Sequence, residues 1–400
     1  MPIMNEPSPA FAPQPNDELA WLGTGPVPAG VYHDPAWYEL EREAVFRRSW
    51  LPVGHVCELA ETGSFIRRDI AVLKASVLIV RGRDGAIRAF HNVCTHRGTV
   101  LVEEPAGRKP GFTCRYHGWS FGLDGALRSA PDFERFHLGK EQCGLKPVAV
   151  EVFAGLIFLH LGAPGEGVRA WLGDLAEPFE KLPIARATRF VEYSYEIGAN
   201  WKLVFDNFQE NYHLRVVHPR TGGPGCVEPN PFAYPLRYNF WGRHRSQTIW
   251  PNPASPPPGK VQGIANTRIV DAAARAGLFD GAELGMDFIC LFPNFTLFGP
   301  PVRQFTQTIW PLGPERSLGV VRFYWVGEEE NASERFAREY VMLSQRDIHC
   351  EDRHVIEDGQ AGISSGAIAH LNFQGQEALC RHLYEAVAAM VRDYRSELEG

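Results

Sequence analysis

The chain has 400 residues and a formal net charge of −7, from 40 Lys and Arg against 47 Asp and Glu. That length suits two domains of ordinary size, and the acidic balance leaves no basic surface for tracking phosphates, so no nucleic acid is expected as partner. No apolar run approaches the roughly 18 to 20 residues that span a bilayer, so no membrane insertion is expected.

Residues 1–30, opening MPIMNEPSPAFAPQPNDELA, are rich in proline and polar side chains and lack the basic-then-apolar order of a signal peptide. They read as a mobile tail on a cytoplasmic protein. Around 31–48, PAWYELEREAVFRRSW spaces Trp37, Leu40, Val45 and Phe46 as one face of a helix. From 49 to 161 the runs LPVGHV, GSFIRRDI, SVLIVRG, AIRAFHNV and GLIFLHLG, with turns at Asp84-Gly85 and Asp124-Gly125, predict a small antiparallel β domain. Residues 162–188 read as a helix-and-loop connector.

A larger α+β domain is expected over 189–400. EYSYEIGANWKLV leads into a helix predicted from Trp201 to about Val217, which Pro219 ends by excluding helical geometry at His218. TGGPGCVEPNPFAYP and NPASPPPGKVQG read as loops. DFICLFPNFTLFG, RQFTQTIWPLG and SLGVVRFYWVG read as strands, ahead of helices from about Ser333 to Asp358 and Gln374 to Leu398.

Two motifs inside the β region carry chemistry: CTHRG, Cys94 to Gly98, and CRYHGW, Cys114 to Trp119, with seventeen residues separating His96 from Cys114. The other six of eight cysteines are scattered and read as buried free thiols rather than a disulfide framework. Structural zinc motifs usually pair Cys with Cys and His with His, whereas each half here supplies one of each. That mixture suits a [2Fe-2S] cluster with two thiolates on one iron and two imidazoles on the other. Gly98, Gly111 and Gly118 flank the loops, as close backbone approach requires. The pattern resembles that of Rieske proteins, specifically Rieske oxygenases, which makes Cys94, His96, Cys114 and His117 the expected cluster ligands. High-potential Rieske proteins of respiratory complexes carry an extra disulfide-forming cysteine in each loop, and here those neighbourhoods hold Arg97 and Arg115.

The second motif is DNFQENYHLRVVHP, Asp206 to Pro219. On a helix, Asn207, Glu210 and His213 recur every three residues along one face. His218 lies about 140° further round but precedes proline, so it can turn back toward His213. Two histidines and a carboxylate with open positions form the facial arrangement of non-haem Fe(II) oxygenases. For the carboxylate, QRDIHCEDRHVIEDGQAG offers Asp347, Glu351, Asp352, Glu357 and Asp358, and composition does not choose among them. Here the sequence resembles Rieske oxygenases of the choline, glycine betaine and carnitine type, in which a Glu-Asp pair precedes Glu, Gln and Gly at fixed offsets. Glu351-Asp352, Glu357, Gln360 and Gly362 reproduce that order, so the resemblance implies Asp352 as third ligand with Asp347 in reserve.

The resemblance runs from about Val31 to the last helix. It implies an α+β chain with an antiparallel β Rieske [2Fe-2S] domain followed by a helix-grip-like catalytic domain holding mononuclear Fe(II). It also implies O2 and a small organic molecule as substrates, and electrons from a reductase, directly or through a ferredoxin. An acid three residues before the first iron histidine, here Glu210, then bridges to the second cluster histidine, His117, of a neighbouring subunit in a homotrimer. Glu210 and Asn207 are the candidate catalytic residues. The same acid is aspartate in many ring dioxygenases, so Glu210 favours a monooxygenase or demethylase over the alternative, an aromatic-ring dihydroxylating dioxygenase alpha subunit. An electron carrier or sensor would need only the cluster. Arg237, Arg243 or Arg303 could anchor a substrate carboxylate, and aromatic residues in the second domain could hold a ring or a quaternary ammonium.

Overall fold

The computed structural model describes residues 16–279, 286–299 and 304–400. Residues 1–15 of the expected tail and the candidate anchor Arg303 lie outside them. Two compact units are present: Phe46–Trp171, and the described residues up to Val45 together with Leu172–Gly400. Among the described residues no helix is long and apolar enough to cross a membrane.

The smaller unit is built on a seven-stranded antiparallel sheet. Its order is Leu51–His55, Leu156–His160, Pro147–Phe153, Ile87–His91, Ala75–Arg81, Ser64–Ile70 and Ala106–Arg108. A second, three-stranded sheet pairs Phe112–Thr113, Ser120–Phe121 and Leu127–Ser129. Phe65, Leu78, Phe90, Phe112, Trp119 and Phe121 pack into one core that includes both Cys94 and Cys114. Full burial of each such aromatic contributes about 1.5 to 3 kcal/mol, so the loops bearing the two cysteines rest on a stiff floor.

The larger unit has a seven-stranded antiparallel sheet in the order Arg189–Ile197, Arg316–Trp325, Gln304–Gly313, Phe295–Phe298, Asp287–Leu291, His244–Thr248 and Arg237–Trp241. One face carries a row of phenylalanines, of which Phe305 and Phe323 are buried against Ala265 and Ile269 of helix Lys260–Arg275 and Ala337 and Val341 of helix Ala332–Ser364. Asn331 caps the long helix by accepting the Glu334 amide at 3.0 Å. Its buried residues, among them Val341, Gln345, His349, Asp352, Ile356 and Gln360, recur every three or four positions and form one stripe. Gly319 leaves room for the ring of Tyr195, whose Cζ would lie 2.3 Å from a Cβ there.

Several expectations from the sequence are corrected. The N-terminal segment is regular from Asn16 on: Asn16–Leu22 forms a 3-10 helix with Leu19 and Leu22 buried, and Val27–Pro28 pairs with His370–Leu371. Val27 is fully buried against Ile363 and Leu371, which removes the freedom expected of a tail. The helix expected over 31–48 is regular only over Pro35–Glu41, capped by Asp34, and widens to a π turn at Arg42–Phe46. NPASPPPGKVQG is not loop throughout, since helix Lys260–Arg275 starts inside it. Strands Arg237–Trp241 and His244–Thr248 escaped the sequence reading because His244, Arg245, Ser246 and Gln247 are polar yet buried. Of the six remaining cysteines, Cys350 is exposed and Cys57 half-buried.

Candidate active site and cluster-binding loops

The two cysteine-histidine loops are built alike. In each, the cysteine amide bonds a carbonyl five residues on, Cys94 to Thr99 and Cys114 to Trp119, both at 2.8 Å. In each, a glycine amide returns to the cysteine carbonyl, Gly98 to Cys94 at 2.9 Å and Gly118 to Cys114 at 3.0 Å. That closure needs left-handed backbone, with φ of +77° at Gly98 and +71° at Gly118. The rings of His96 and His117 lie 4.6 Å apart, and Trp119 stacks on His96 at 4.8 Å. Both Nδ1 atoms are buried without a hydrogen-bond partner. Burial, and contact with the Cys114 side chain, push the Cys94 thiol up. Two adjoining thiols and two orphaned imidazole nitrogens form the two-plus-two donor set that fits a Rieske [2Fe-2S] cluster.

In the larger unit the expected single helix is broken. Trp201–Asn207 is helical, Phe208–Tyr212 is a turn, and Leu214–Val217 resumes with His213 at its N-cap. Polar side chains compete for the backbone here: the Glu210 carboxylate accepts the amides of Tyr212 and His213 as well as the His213 Nδ1 proton. His213 and His218 are nevertheless brought together, and Asp352 joins them from the long helix. Their ligand atoms all lie within 4.8 Å of one another. Asp352 Oδ1 is 3.5 Å from His213 Nε2 and 3.0 Å from His218 Nε2. His218 Nε2 and Asp352 Oδ1 are buried facing each other, with no other hydrogen-bond partner, as convergent ligands for a cation would be.

Each histidine is oriented by a glutamate on its far nitrogen. Glu210 faces His213 Nδ1, and Glu351 Oε2 lies 2.7 Å from His218 Nδ1 while also accepting the Thr221 hydroxyl at 2.6 Å. This fixes the tautomer that turns both Nε2 atoms inward. Burial pulls the His218 pKa down, but the carboxylates of Asp352 and Glu351 outweigh it and the net shift is upward.

Asn207 ends the first helix, with its Oδ1 buried and unpartnered. Asp347 is exposed on the opposite side of the buried stripe. Glu357 and Gln360 bond the amides of Gly198 and Asn200 at 3.0 and 2.9 Å, tethering the long helix to the start of the ligand-bearing segment. Arg237 bonds the Thr248 hydroxyl at 3.2 Å.

Beside Asp352, one helical turn earlier, sits His349, ringed by Phe208 at 4.9 Å, Tyr195 at 5.7 Å and Tyr193 at 5.9 Å. Its two ring nitrogens face the Tyr193 hydroxyl at 2.8 Å and Gln345 Nε2 at 3.2 Å, and burial pushes its pKa down to about 4, so this cluster of rings carries no positive charge at neutral pH. Sequence reading passed over His349, Tyr193 and Tyr195. The signal was a histidine in register with the apolar stripe of the long helix.

Residues 49–150 match the Rieske [2Fe-2S] domain family, and residues 184–393 match the ring hydroxylating alpha subunit, catalytic domain. The chain belongs to the Rieske ring-hydroxylating oxygenase alpha-subunit family. It is the terminal oxygenase component of such a system, which uses O2 and electrons from a reductase to oxidise a small organic substrate. It is 35% identical to the carnitine monooxygenase oxygenase subunit of Acinetobacter pittii, covering 88% of this chain and 87% of the relative. The glycine betaine monooxygenase oxygenase subunit of Chromohalobacter salexigens is 28% identical over 86% of this chain and 81% of its own. A crystal structure of a quaternary ammonium Rieske monooxygenase in complex with L-carnitine shares the fold at a TM-score of 0.74 and 24% identity, covering 95% and 99% of the two chains. Naphthalene 1,2-dioxygenase shares it at 0.73 and 21%, covering 91% of each.

Proposed function

We propose that the chain is the oxygenase subunit of a monooxygenase acting on a small quaternary ammonium compound of the carnitine, glycine betaine or choline class. The observation that carries this reading is that the chain's full-length relatives are named for such substrates, and the uncharged cluster of Tyr193, Tyr195 and Phe208 around His349, one helical turn from Asp352, accords with it. A tetraalkylammonium has no N–H to donate and is held by ring faces, each contributing about 0.5 to 2 kcal/mol.

Cys94, Cys114, His96 and His117 would hold the cluster, and His213, His218 and Asp352 the mononuclear iron. Once bound, these groups supply single-electron relay and O2 activation. The chain's own residues do the positioning. Glu210 and Glu351 keep the two iron histidines in the Nε2-inward tautomer, and Tyr193, Tyr195 and Phe208 present the substrate's carbon next to nitrogen. One oxygen atom enters that C–H bond. The other leaves as water, taking up two electrons and two protons. The resulting carbinol expels its nitrogen as a tertiary amine, loses its hydroxyl proton and becomes an aldehyde.

The electron source we propose is NADH or NADPH through a flavin and iron-sulfur reductase. We propose the cytoplasm as the compartment, where the six cysteines outside the cluster loops stay reduced. We further propose a homotrimer in which Glu210 of one chain reaches His117 of the next. Exposed apolar residues at both places support it: Tyr116, Val93 and Val100 at the cluster loops, and Tyr212, Val216 and Phe232 around the iron turn.

The test is a product screen with a matched reductase, NADH and O2. Quaternary ammonium substrates should yield stoichiometric tertiary amine and aldehyde. Turnover confined to aromatic compounds, with diol products, would replace this reading by the dioxygenase one.

A further inference from the structure

We propose that Tyr32, Asp206, Gln209 and Arg245 form a buried hydrogen-bonded strut that sets the turn aiming Glu210 and His213, which makes them positioning residues for the iron site. The inference rests on His213 being an iron ligand. Helix Trp201–Asn207 closes with short i to i+3 bonds, Phe208 amide to Phe205 carbonyl at 3.1 Å and Gln209 amide to Asp206 carbonyl at 2.9 Å. In a continuing helix the amides of Tyr212 and His213 would bond the carbonyls of Phe208 and Gln209. They bond the Glu210 carboxylate instead. Something must therefore stop the helix at Gln209.

The strut does so. Gln209 is fully buried, and both ends of its amide are engaged. Its Nε2 donates to Asp206 Oδ1 at 3.1 Å, and its Oε1 accepts from Arg245 Nε. Tyr32 donates its hydroxyl to Asp206 Oδ2 at 2.8 Å. A guanidinium only donates, so the amide oxygen must face Arg245 and its nitrogen Asp206, which leaves the amide one permitted orientation. Asp206 and Arg245 are themselves buried, and burial lifts the Asp206 pKa to about 7 against the opposing bond from Tyr32 and the charges of Arg245 and Lys202, so each depends on its hydrogen bonds through Gln209. Neither end is free to drift. Arg245 is locked between strands by pairing with Phe240 and Cys290. Tyr32 belongs to the N-terminal segment, which grips the same helix a second time: Glu41 takes hydrogen bonds from Trp37 at 2.7 Å and Trp201 at 2.8 Å, and pairs with Lys202 at 2.6 Å. Gln209 thus points inward to a fixed frame while its neighbour Glu210 points to His213.

The experiment uses the full-length holoenzyme. Gln209→Leu keeps the volume and removes both amide bonds, and Tyr32→Phe removes one hydroxyl. The expected result is mononuclear iron released to a chelator about 10 to 100 times faster in Gln209→Leu, in line with losses on removing supports behind metal ligands, with a smaller change of the same sign in Tyr32→Phe. Cluster absorbance should be unchanged, and the electron paramagnetic resonance spectrum of the nitric oxide adduct at the mononuclear iron should shift. Wild-type release and spectrum in both variants, or simultaneous loss of cluster and iron, would overturn the strut. Should Gln209→Leu fail to fold, Tyr32→Phe alone decides. His213→Ala separates the premise: if it retains mononuclear iron, the ligand assignment fails rather than the strut.

Discussion

Asp352 reaches its partners because it lies on the buried stripe of the long helix, three residues after His349 and four before Ile356. Asp347 and Glu351 fall off that stripe. Glu351 stays partly exposed at the edge and takes His218 Nδ1, so adjacent carboxylates serve different atoms of the same site. Asp352→Ala should lose mononuclear iron and turnover while the Rieske spectrum persists, and Asp347→Ala should behave as wild type. Metal analysis and visible absorbance of the two variants check this. The reverse pattern would move the ligand to Asp347. At this scale the sequence was informative wherever a residue type has few uses: histidines beside cysteines, and H-x4-H before proline. It was silent on Gln209 and Arg245, because glutamine and arginine are ordinary surface residues and only tertiary packing shows them buried.

Among the elements, the cluster loops were readable because glycine at left-handed positions is punctuation in any β-rich stretch. Their tolerance differs in a predictable way. A Cβ on Gly98 meets no protein atom, so within the protein Gly98→Ala costs about 1 to 2 kcal/mol for its φ of +77°, with any contact to the bound cluster in addition. A Cβ on Gly111 would lie 2.7 Å from the Phe121 carbonyl oxygen across the hairpin carrying Cys114. Gly111→Ala should therefore shed cluster faster than Gly98→Ala when bleaching of the visible cluster absorbance is followed under denaturant. The helix Trp201–Val217 was misread for the opposite reason: its helical periodicity is genuine, but the Glu210 carboxylate takes the amides of Tyr212 and His213, and buried Gln209 is engaged by Asp206 and by Arg245 of a distant strand. Helix Ala378–Glu399 offers a pH test. His382 is buried in it, and burial together with the charge of Arg245 pushes its pKa down to about 3. A histidine kept neutral in the fold but free to protonate when unfolded stabilises fully above the unfolded pKa near 6.5 and less as pH falls toward 3. At pH 5 the loss is about 2 kcal/mol. His382→Gln should flatten that acid limb in denaturant melts between pH 7 and 5; an unchanged slope would remove His382 as its source.

At the scale of the whole molecule, the charge is unevenly divided: Lys and Arg outnumber Asp and Glu in Phe46–Trp171, although the complete chain is at −7. Opposite signs on the two units suit a head-to-tail arrangement, in which the cluster unit of one chain faces the iron unit of the next. Closed cyclic symmetry lets every chain give and receive one such contact, and a trimer is the proposed form. If electrons cross that boundary through Glu210, two dead chains can rescue each other. Cys114→Ser removes the cluster and His213→Ala removes the iron, and each variant alone should be inactive. Mixed trimers made by co-expression contain interfaces where an intact cluster in the His213→Ala chain faces an intact iron in the Cys114→Ser chain, so part of the activity should return. Placing Glu210→Ala in the Cys114→Ser chain should abolish that recovery, because the surviving iron sites then lack the bridging carboxylate. The same substitution in the His213→Ala chain should leave the recovery intact, since no electron is delivered there. Electron transfer confined to one chain gives no recovery in any mixture, and that result would overturn the intersubunit role of Glu210.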